Sequence, residues 1–164
     1  MKRSLICALA FGAALSTPAA ADWFGKTEDK GFGQSMAVAA SIGDELIIYA
    51  VCDKNTLELR LATNEAWNET LEAMPGVAIA VSVDGGPKRL VDATLSSNQN
   101  NRIMAVSEAL AAEETVKAMA LAKRRIDVGL QAGEKMIYSA SMSASGSTRY
   151  IGRVLTACAD AGEQ

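Results

Sequence analysis

The sequence predicts a single α+β domain: a largely antiparallel sheet of hairpins with two to three helices, and one disulfide clamping the C-terminal helix. Three observations predict this class. Short runs of alternating apolar and polar residues recur along the chain, separated by turn-forming residues, which is typical of strands joined as hairpins. Other segments carry apolar residues at helical spacing. Two cysteines, Cys52 and Cys158, remain after the predicted export signal is removed.

The N-terminus has the three parts of a secretory signal peptide. A basic start at Lys2 and Arg3 precedes an apolar run over residues 5–15, and Pro18 precedes three alanines. The apolar run is shorter than the roughly 20 residues that a membrane-spanning helix needs. We therefore expect a signal peptide over residues 1–21, cleaved between Ala21 and Asp22. The mature protein should be periplasmic, with secretion from the cell as the alternative. Residues 22–164 would form one domain with an ordered core over about 35–161.

The first half of this domain reads mainly as strands. Residues 22–34 are polar and glycine-rich, and we expect them to form a lead-in segment. Strands are predicted over residues 35–42, 45–52 and 56–61, the last two forming a hairpin around an Asp-Lys-Asn turn.

A short helix is predicted next, capped by Thr63 or Asn64 and ending at Met74. Its apolar residues, Trp67, Leu71 and Met74, recur at the i, i+4, i+7 spacing of one helical face.

The second half continues with strands and two helices. Residues 77–84 and 89–95 should pair across a Gly-Gly-Pro turn, and 102–107 should add a strand. A helix over 109–125 follows, with acidic residues near its start and basic residues at its end. Residues 126–131 and 135–142 are expected as a further hairpin. A last helix should begin within 145–148 and run to about 161.

Composition excludes several functions. The chain has no histidine, so the commonest general base and transition-metal ligand are absent. Removal of the signal leaves 14 basic and 19 acidic residues, a net charge of −5 without a basic block. Such a surface does not suit nucleic acid, whose phosphates need clustered lysine and arginine. No nucleotide-binding motif occurs, and we expect neither a cofactor nor a metal.

Two carboxylate pairs are the candidates for catalysis. Asp84 and Asp92 flank the Gly-Gly-Pro turn on neighbouring predicted strands, and Glu113 is adjacent to Glu114. Paired carboxylates could support glycoside hydrolysis. Turn formation explains the aspartates better, however, and helix-start electrostatics explains the glutamates better.

Cys158 could be a nucleophile, a metal ligand or half of a disulfide. Ile151, Leu155 and Cys158 lie at i, i+4, i+7, which places the cysteine on the buried side of the last helix. In an oxidising compartment Cys52 is its one partner, so a disulfide is the simplest expectation. Closing a loop of about 100 residues would stabilise the domain by roughly 4–5 kcal/mol.

The order of motifs resembles a known group of exported proteins. "VCDKNTLELRL" is followed by "VSVDGG", then by "NRIMAVSEA" and "RIDVGL", and the chain closes with "SGSTRYIGRVLTAC". This order is similar to small periplasmic proteins of the VasI/TagO type, which are accessory to type VI secretion. More loosely, it resembles invasion-associated locus B proteins. The resemblance implies a fold, a disulfide and an envelope setting.

We therefore expect a non-enzymatic periplasmic accessory protein that binds an envelope or secreted protein. One alternative is an inhibitor of an envelope-targeting hydrolase such as lysozyme, and a third is a carboxylate-dependent peptidoglycan hydrolase. The candidate contact site is a polar loop without apolar residues. It comprises Ser96, Ser97, Asn98, Gln99, Asn100 and Asn101.

Overall fold

A computed structural model of the chain describes residues 23–31, 34–71, 74–107 and 109–160. The predicted signal peptide, with its cleavage site between Ala21 and Asp22, lies outside the described residues. The strands are β1 (Phe24–Gly31), β2 (Gln34–Ile42), β3 (Leu46–Asp53), β4 (Thr56–Ala66), β5 (Val77–Val83), β6 (Arg89–Ser97), β7 (Arg102–Ser107), β8 (Arg125–Ala132) and β9 (Lys135–Ser143). The helices are α1 (Ala109–Ala120) and α2 (Ser147–Asp160), and a 3₁₀ turn covers Glu69–Leu71.

The strands form one antiparallel sheet in the order β1-β2-β3-β4-β7-β6-β5-β8-β9. β3 and β9 contact each other although six positions separate them in that order. The sheet therefore curls into a half-barrel. Trp23 fastens the two sheet edges at one corner. Its indole Nε1 donates to the carbonyl oxygen of Ser143 at 3.0 Å, and its backbone N–H donates to that of Ser145 at 3.2 Å.

The core lies on the concave face, where α1 and α2 pack against each other and against the sheet. Strand alternation sends every second side chain to this face. Inner side chains of β3, β4, β5 and β8 are fully buried, and so are the residues of α1 and α2 that pack against them. They include Leu46, Ile48, Leu59, Leu61, Ile79, Val81, Ile126, Val116, Met119 and Ile151.

The antiparallel sheet, the two long helices and the disulfide at the C-terminal helix agree with the expected fold class, but the sheet is more dominant than expected. One reason is that residues 22–34, expected as a lead-in segment, contain strand β1. This strand pairs with β2 from Phe24 to Gly31. Its polar sequence is typical of an edge strand, where charged residues discourage pairing with other chains.

The helix predicted from Thr63 or Asn64 to Met74 was wrong. β4 runs on through Ala66, with Thr63 buried opposite Leu46, and one 3₁₀ turn follows. The backbone N–H of Trp67 donates to the carbonyl oxygen of Asn101 at 3.0 Å. Pairing with β3 and β7 therefore outweighed a short helical pattern, since strand preference depends strongly on tertiary context.

The helix predicted over residues 109–125 ends at Ala120. The backbone N–H groups of Leu121 and Ala122 donate to carbonyls three residues back, which closes the helix with a tight turn. The next residues then cross to β8, which begins at Arg125.

Candidate functional site

The outer, convex face of the sheet differs between its two halves. We call β1–β4 with β7 the first half, and β5, β6, β8 and β9 the second half. In the first half, apolar side chains cover the outer face as well as the core side. We name this outer surface the apolar face; it comprises Phe24, Met36, Val38, Ala40, Ile42, Ile47, Tyr49, Val51, Ala62, Met104 and Val106.

The register places these residues side by side on neighbouring strands. Val38 lies opposite Val51, and Ile42 lies opposite Ile47. Phe24 and Ile42 are 48% and 50% exposed, which is unusual for such large apolar side chains.

A groove of about 250 Å³ crosses the apolar face. Tyr49, Val51, Ala62 and Met104 contribute to its walls, and Arg60 lies at its side. Val51 and Ala62 are each only 3% exposed although they point away from the core. Neighbouring side chains therefore already pack over the centre of this face.

The charges beside the apolar face are paired with each other. Lys26 contacts Glu28 on β1, and the Arg60 guanidinium lies 2.6 Å from the Glu58 carboxylate on β4. Burial raises the pKa of the Tyr49 phenol, so this group remains uncharged at neutral pH. These pairs leave the face with little net charge.

The predicted contact loop is shorter than expected. Ser96 and Ser97 belong to β6, and the connection to β7 is a tight turn over Asn98, Gln99, Asn100 and Asn101. The Asn98 side-chain oxygen accepts hydrogen bonds from the backbone N–H groups of Asn100 at 2.9 Å and Arg102 at 3.0 Å. Side-chain bonding of this kind gives asparagine its preference for turns.

This turn is also tied to β4 and borders the apolar face. The Arg102 guanidinium donates to the carbonyl oxygen of Asn64 at 2.5 Å. Asn98 lines the same groove as Met104. The candidate contact residues and the apolar face therefore form one continuous surface.

Sequence reasoning missed the apolar face, although β2 and β3 carried a signal for it. Both strands have apolar residues at odd and even positions, as in "MAVAASI". Such runs are typical of strands that are covered on both faces. In β3, Leu46, Ile48, Ala50 and Cys52 face the core, while Ile47, Tyr49 and Val51 between them lie on the apolar face.

The structure does not bring Asp84 and Asp92 together. Asp92 lies opposite Ala78 near the start of β5, whereas Asp84 follows the last residue of that strand. Six residues of strand separate these positions, which corresponds to about 20 Å.

Asp84 has a structural role instead. Its carboxylate accepts hydrogen bonds from the backbone N–H groups of Lys123, Arg124 and Arg125, at 2.9, 2.7 and 3.1 Å. These bonds hold the pKa of the carboxyl below its ordinary value. Asp84 thus fixes the chain between α1 and β8 to the end of β5.

The second carboxylate pair is engaged with a lysine. Lys117 Nζ lies 2.7 Å from Glu113 and 3.2 Å from Glu114. The hydrogen bonds that Lys117 donates to the carboxylates of Glu113 and Glu114 raise the pKa of Lys117. Neither pair therefore offers two free carboxylates that face each other across a cleft, as glycoside hydrolysis requires.

Cys52 and Cys158 form the expected disulfide, with their Cα atoms 5.6 Å apart. Cys52 is 2% exposed, whereas Cys158 is partly exposed in a cleft of about 690 Å³. Lys117 and Thr156 also line this cleft. The bond joins the last turns of α2 to the end of β3, as a clamp on the C-terminal helix should.

In the described ranges, no helix combines the length and hydropathy required to cross a membrane. Within the same residues, no group of three or more acidic or cysteine side chains converges to hold a metal ion.

Compared with models of protein families, with curated proteins and with solved structures, the chain matches none of them. The similarity to VasI/TagO-type and locus B proteins therefore stays a prediction from the order of motifs.

Proposed function

We propose that this protein is an exported, non-enzymatic accessory protein that binds another envelope or secreted protein through the apolar face. The observation that carries the proposal is the exposure of Phe24 and Ile42 at 48% and 50%, next to the apolar outer side chains of β2 and β3. Contiguous exposed apolar surface on a small domain is typical of an interaction site.

The surroundings of the apolar face favour a protein as its occupant. Protein interfaces combine an apolar centre with a polar rim. Here the pair Lys26–Glu28 on the edge strand and the asparagine turn border the face. Arg60, neutralised by Glu58, lies within the face between Tyr49 and Val106. An anionic membrane surface would instead favour an excess of lysine and arginine. The matching partner surface has aliphatic or aromatic side chains at its centre and little net charge.

Photo-crosslinking at one position in each half of the sheet tests this proposal. A photoreactive amino acid replaces Ile42 in one variant and Leu90 in the other, and both are expressed in cells that carry the native envelope. Leu90 is a matched control because it is 49% exposed on the outer face of the second half. We expect an adduct with one envelope or secreted protein at position 42 and none at position 90.

The crosslinked protein is then identified by mass spectrometry and purified for binding measurements. Ile42→Ser should weaken binding at least tenfold, whereas Leu90→Ser should leave it unchanged. Identical adducts at both positions, or no adduct at position 42, would contradict the proposal.

A second candidate is inhibition of an envelope-targeting hydrolase such as lysozyme. The rigid turn favours it, because Gln99 and Asn100 are exposed at a hairpin tip that Asn98 holds in shape. A preorganised loop enters a cleft at little entropic cost. The test is lysis of a cell-wall suspension by lysozyme, followed by turbidity. Inhibition that Asn98→Ala removes and Ile42→Ser retains would replace the first proposal with this one.

A further inference from the structure

Helix α2 carries two arginines that have no acidic partner within the described part of the chain. Arg149 and Arg153 are exposed and lie one helical turn apart. Both guanidinium groups lie against the ring of Tyr150, with their Cζ atoms 5.5 and 5.9 Å from its centroid. One aromatic ring therefore orients both cations.

Other arginines of the molecule are engaged differently. Arg60 pairs with Glu58 at 2.6 Å, and Arg125 pairs with Asp127 at 3.2 Å. Two like charges at i and i+4 repel each other and destabilise a helix. What sets Arg149 and Arg153 apart is that two unneutralised cations share one helix face and one aromatic ring.

The arginines border a shallow, open pocket between α2 and the edge strand β1. This pocket has a volume of about 480 Å³. Its lining includes Thr27 from β1 and Gly152 and Thr156 from α2, besides the two arginines. Gly152 keeps the pocket open, since it adds no side chain and a Cβ there would meet no atom within 4 Å. The threonine hydroxyls add groups that can donate hydrogen bonds to an oxyanion.

We propose that this pocket binds a small dianion with two oxyanionic groups, carboxylate or phosphate, one for each guanidinium. One ligand can reach both guanidiniums, because both groups lie against the ring of Tyr150. Each guanidinium offers a planar fork that matches a carboxylate or phosphate with two hydrogen bonds. The site lies on the helix side of the sheet, so it is independent of the apolar face.

A titration of the full mature protein at low ionic strength tests the proposal. The probes are linear dicarboxylates of increasing chain length, with acetate as the reference of one charge. Inorganic pyrophosphate and inorganic phosphate form the second pair of probes. The readout is the ¹H–¹⁵N signal of the Nε–H groups of Arg149 and Arg153, with calorimetry for affinity.

We expect one chain length to bind at least tenfold more tightly than acetate and to shift both arginine signals. The series identifies the spacing, and the comparison with pyrophosphate identifies the oxyanion. Equal affinity for acetate and every dicarboxylate, or no shift of either signal, would overturn the proposal.

Four variants locate the site. Arg149→Gln with Arg153→Gln should weaken binding at least tenfold, whereas Arg89→Gln, at an exposed arginine of β6, should leave it unchanged. Tyr150→Leu should weaken binding severalfold and Tyr150→Phe should restore it, because the ring rather than the hydroxyl positions the guanidiniums. An equal loss in Arg89→Gln would show general charge attraction and reject the site.

Discussion

The two halves of the sheet bury their inner faces equally well but differ in what they present outward. Ile48 in the first half and Ile79 in the second are both fully buried against the helices. On the outer side, the first half carries the apolar face. The second half presents many small and polar residues, such as exposed Ser139 and Ser141 on β9, and its exposed large apolar side chains are Leu90, Met136 and Ile137. Inner burial therefore accounts for folding in both halves, and the outer apolar surface is a property that folding alone does not require.

The halves are also fastened by different means. A disulfide joins the end of β3 to α2 beneath the first half. In the second half, the Asp84 carboxylate binds three consecutive backbone N–H groups, and Gly129 lets β8 and β9 approach closely. The half with the apolar face is thus the one held covalently to the C-terminal helix. Removing one of these fastenings at a time should show how much each half of the sheet depends on it for stability.

The largest effect should come from removing the disulfide. The Cys52→Ala, Cys158→Ala variant is expected to lose roughly 4–5 kcal/mol of unfolding free energy, because the bond closes a long loop in the unfolded chain. The two cysteines stand 106 positions apart in sequence. Urea denaturation of the oxidised protein and of the variant measures the difference.

Hydrogen exchange then tells the halves apart. Amides at the end of β3 and in the last turns of α2 should lose protection first, while those of β5 and β8 keep theirs at low denaturant. Wild-type protein treated with reductant is the control, since it should match the variant. Uniform loss of protection across both halves would contradict a locally acting clamp.

The pairing of Cys52 with Cys158 was predictable because the sequence offers few cysteines and the helical spacing placed Cys158 inward. The hairpin of β3 and β4 was predictable too, since β4 alternates cleanly and turn residues separate it from the β-branched and aromatic β3. The strand over residues 24–31 was not, because an edge strand has half its pairing partners and carries charges that resemble a loop. The continuation of β4 past Thr63 was hidden too, because Trp67, Leu71 and Met74 mimic a helix face over a short window. The apolar face depends on which strands lie side by side, and alternation within single strands does not contain that order.

The second-largest effect should follow from Gly129→Ala in the second half. A Cβ at this position would lie 2.5 Å from Met136 Sδ and 2.6 Å from the carbonyl oxygen of Tyr138. The methionine can rotate away, but the carbonyl belongs to the paired strand β9 and cannot move without shifting the backbone. We expect a loss of about 1–3 kcal/mol in unfolding free energy, the usual range for overpacking. Urea denaturation provides the measurement.

Gly152→Ala is the matched control for this substitution. It adds the same methyl group in the interior of α2, where no atom lies within 4 Å of the new Cβ. Alanine should stabilise the helix by about 0.5–1 kcal/mol. Opposite signs for the two variants would confirm that backbone approach, and not glycine as such, holds β8 to β9. Two losses of similar size would contradict this explanation.

The smallest effect should be that of Asp84→Asn, and its pH dependence identifies the fastening of the second half. Asparagine keeps the shape and tolerates the positive φ of 54° at this position, but it removes the charge that three backbone N–H groups bind.

The pKa of Asp84 is lowered from an ordinary value of 3.8, so its carboxylate stabilises the fold fully above that value. The contribution is lost as the pH falls through the lower pKa of the folded state, where the folded protein takes up the proton. The thermal midpoint of the variant should therefore lie a few degrees below wild type at neutral pH, and the gap should close as the pH falls below 3.8. Because this carboxylate is open to solvent, its effect should stay well below that of the disulfide. A gap that persists unchanged to strongly acidic pH would mean that the shape of residue 84, rather than its charge, joins β5 to the start of β8.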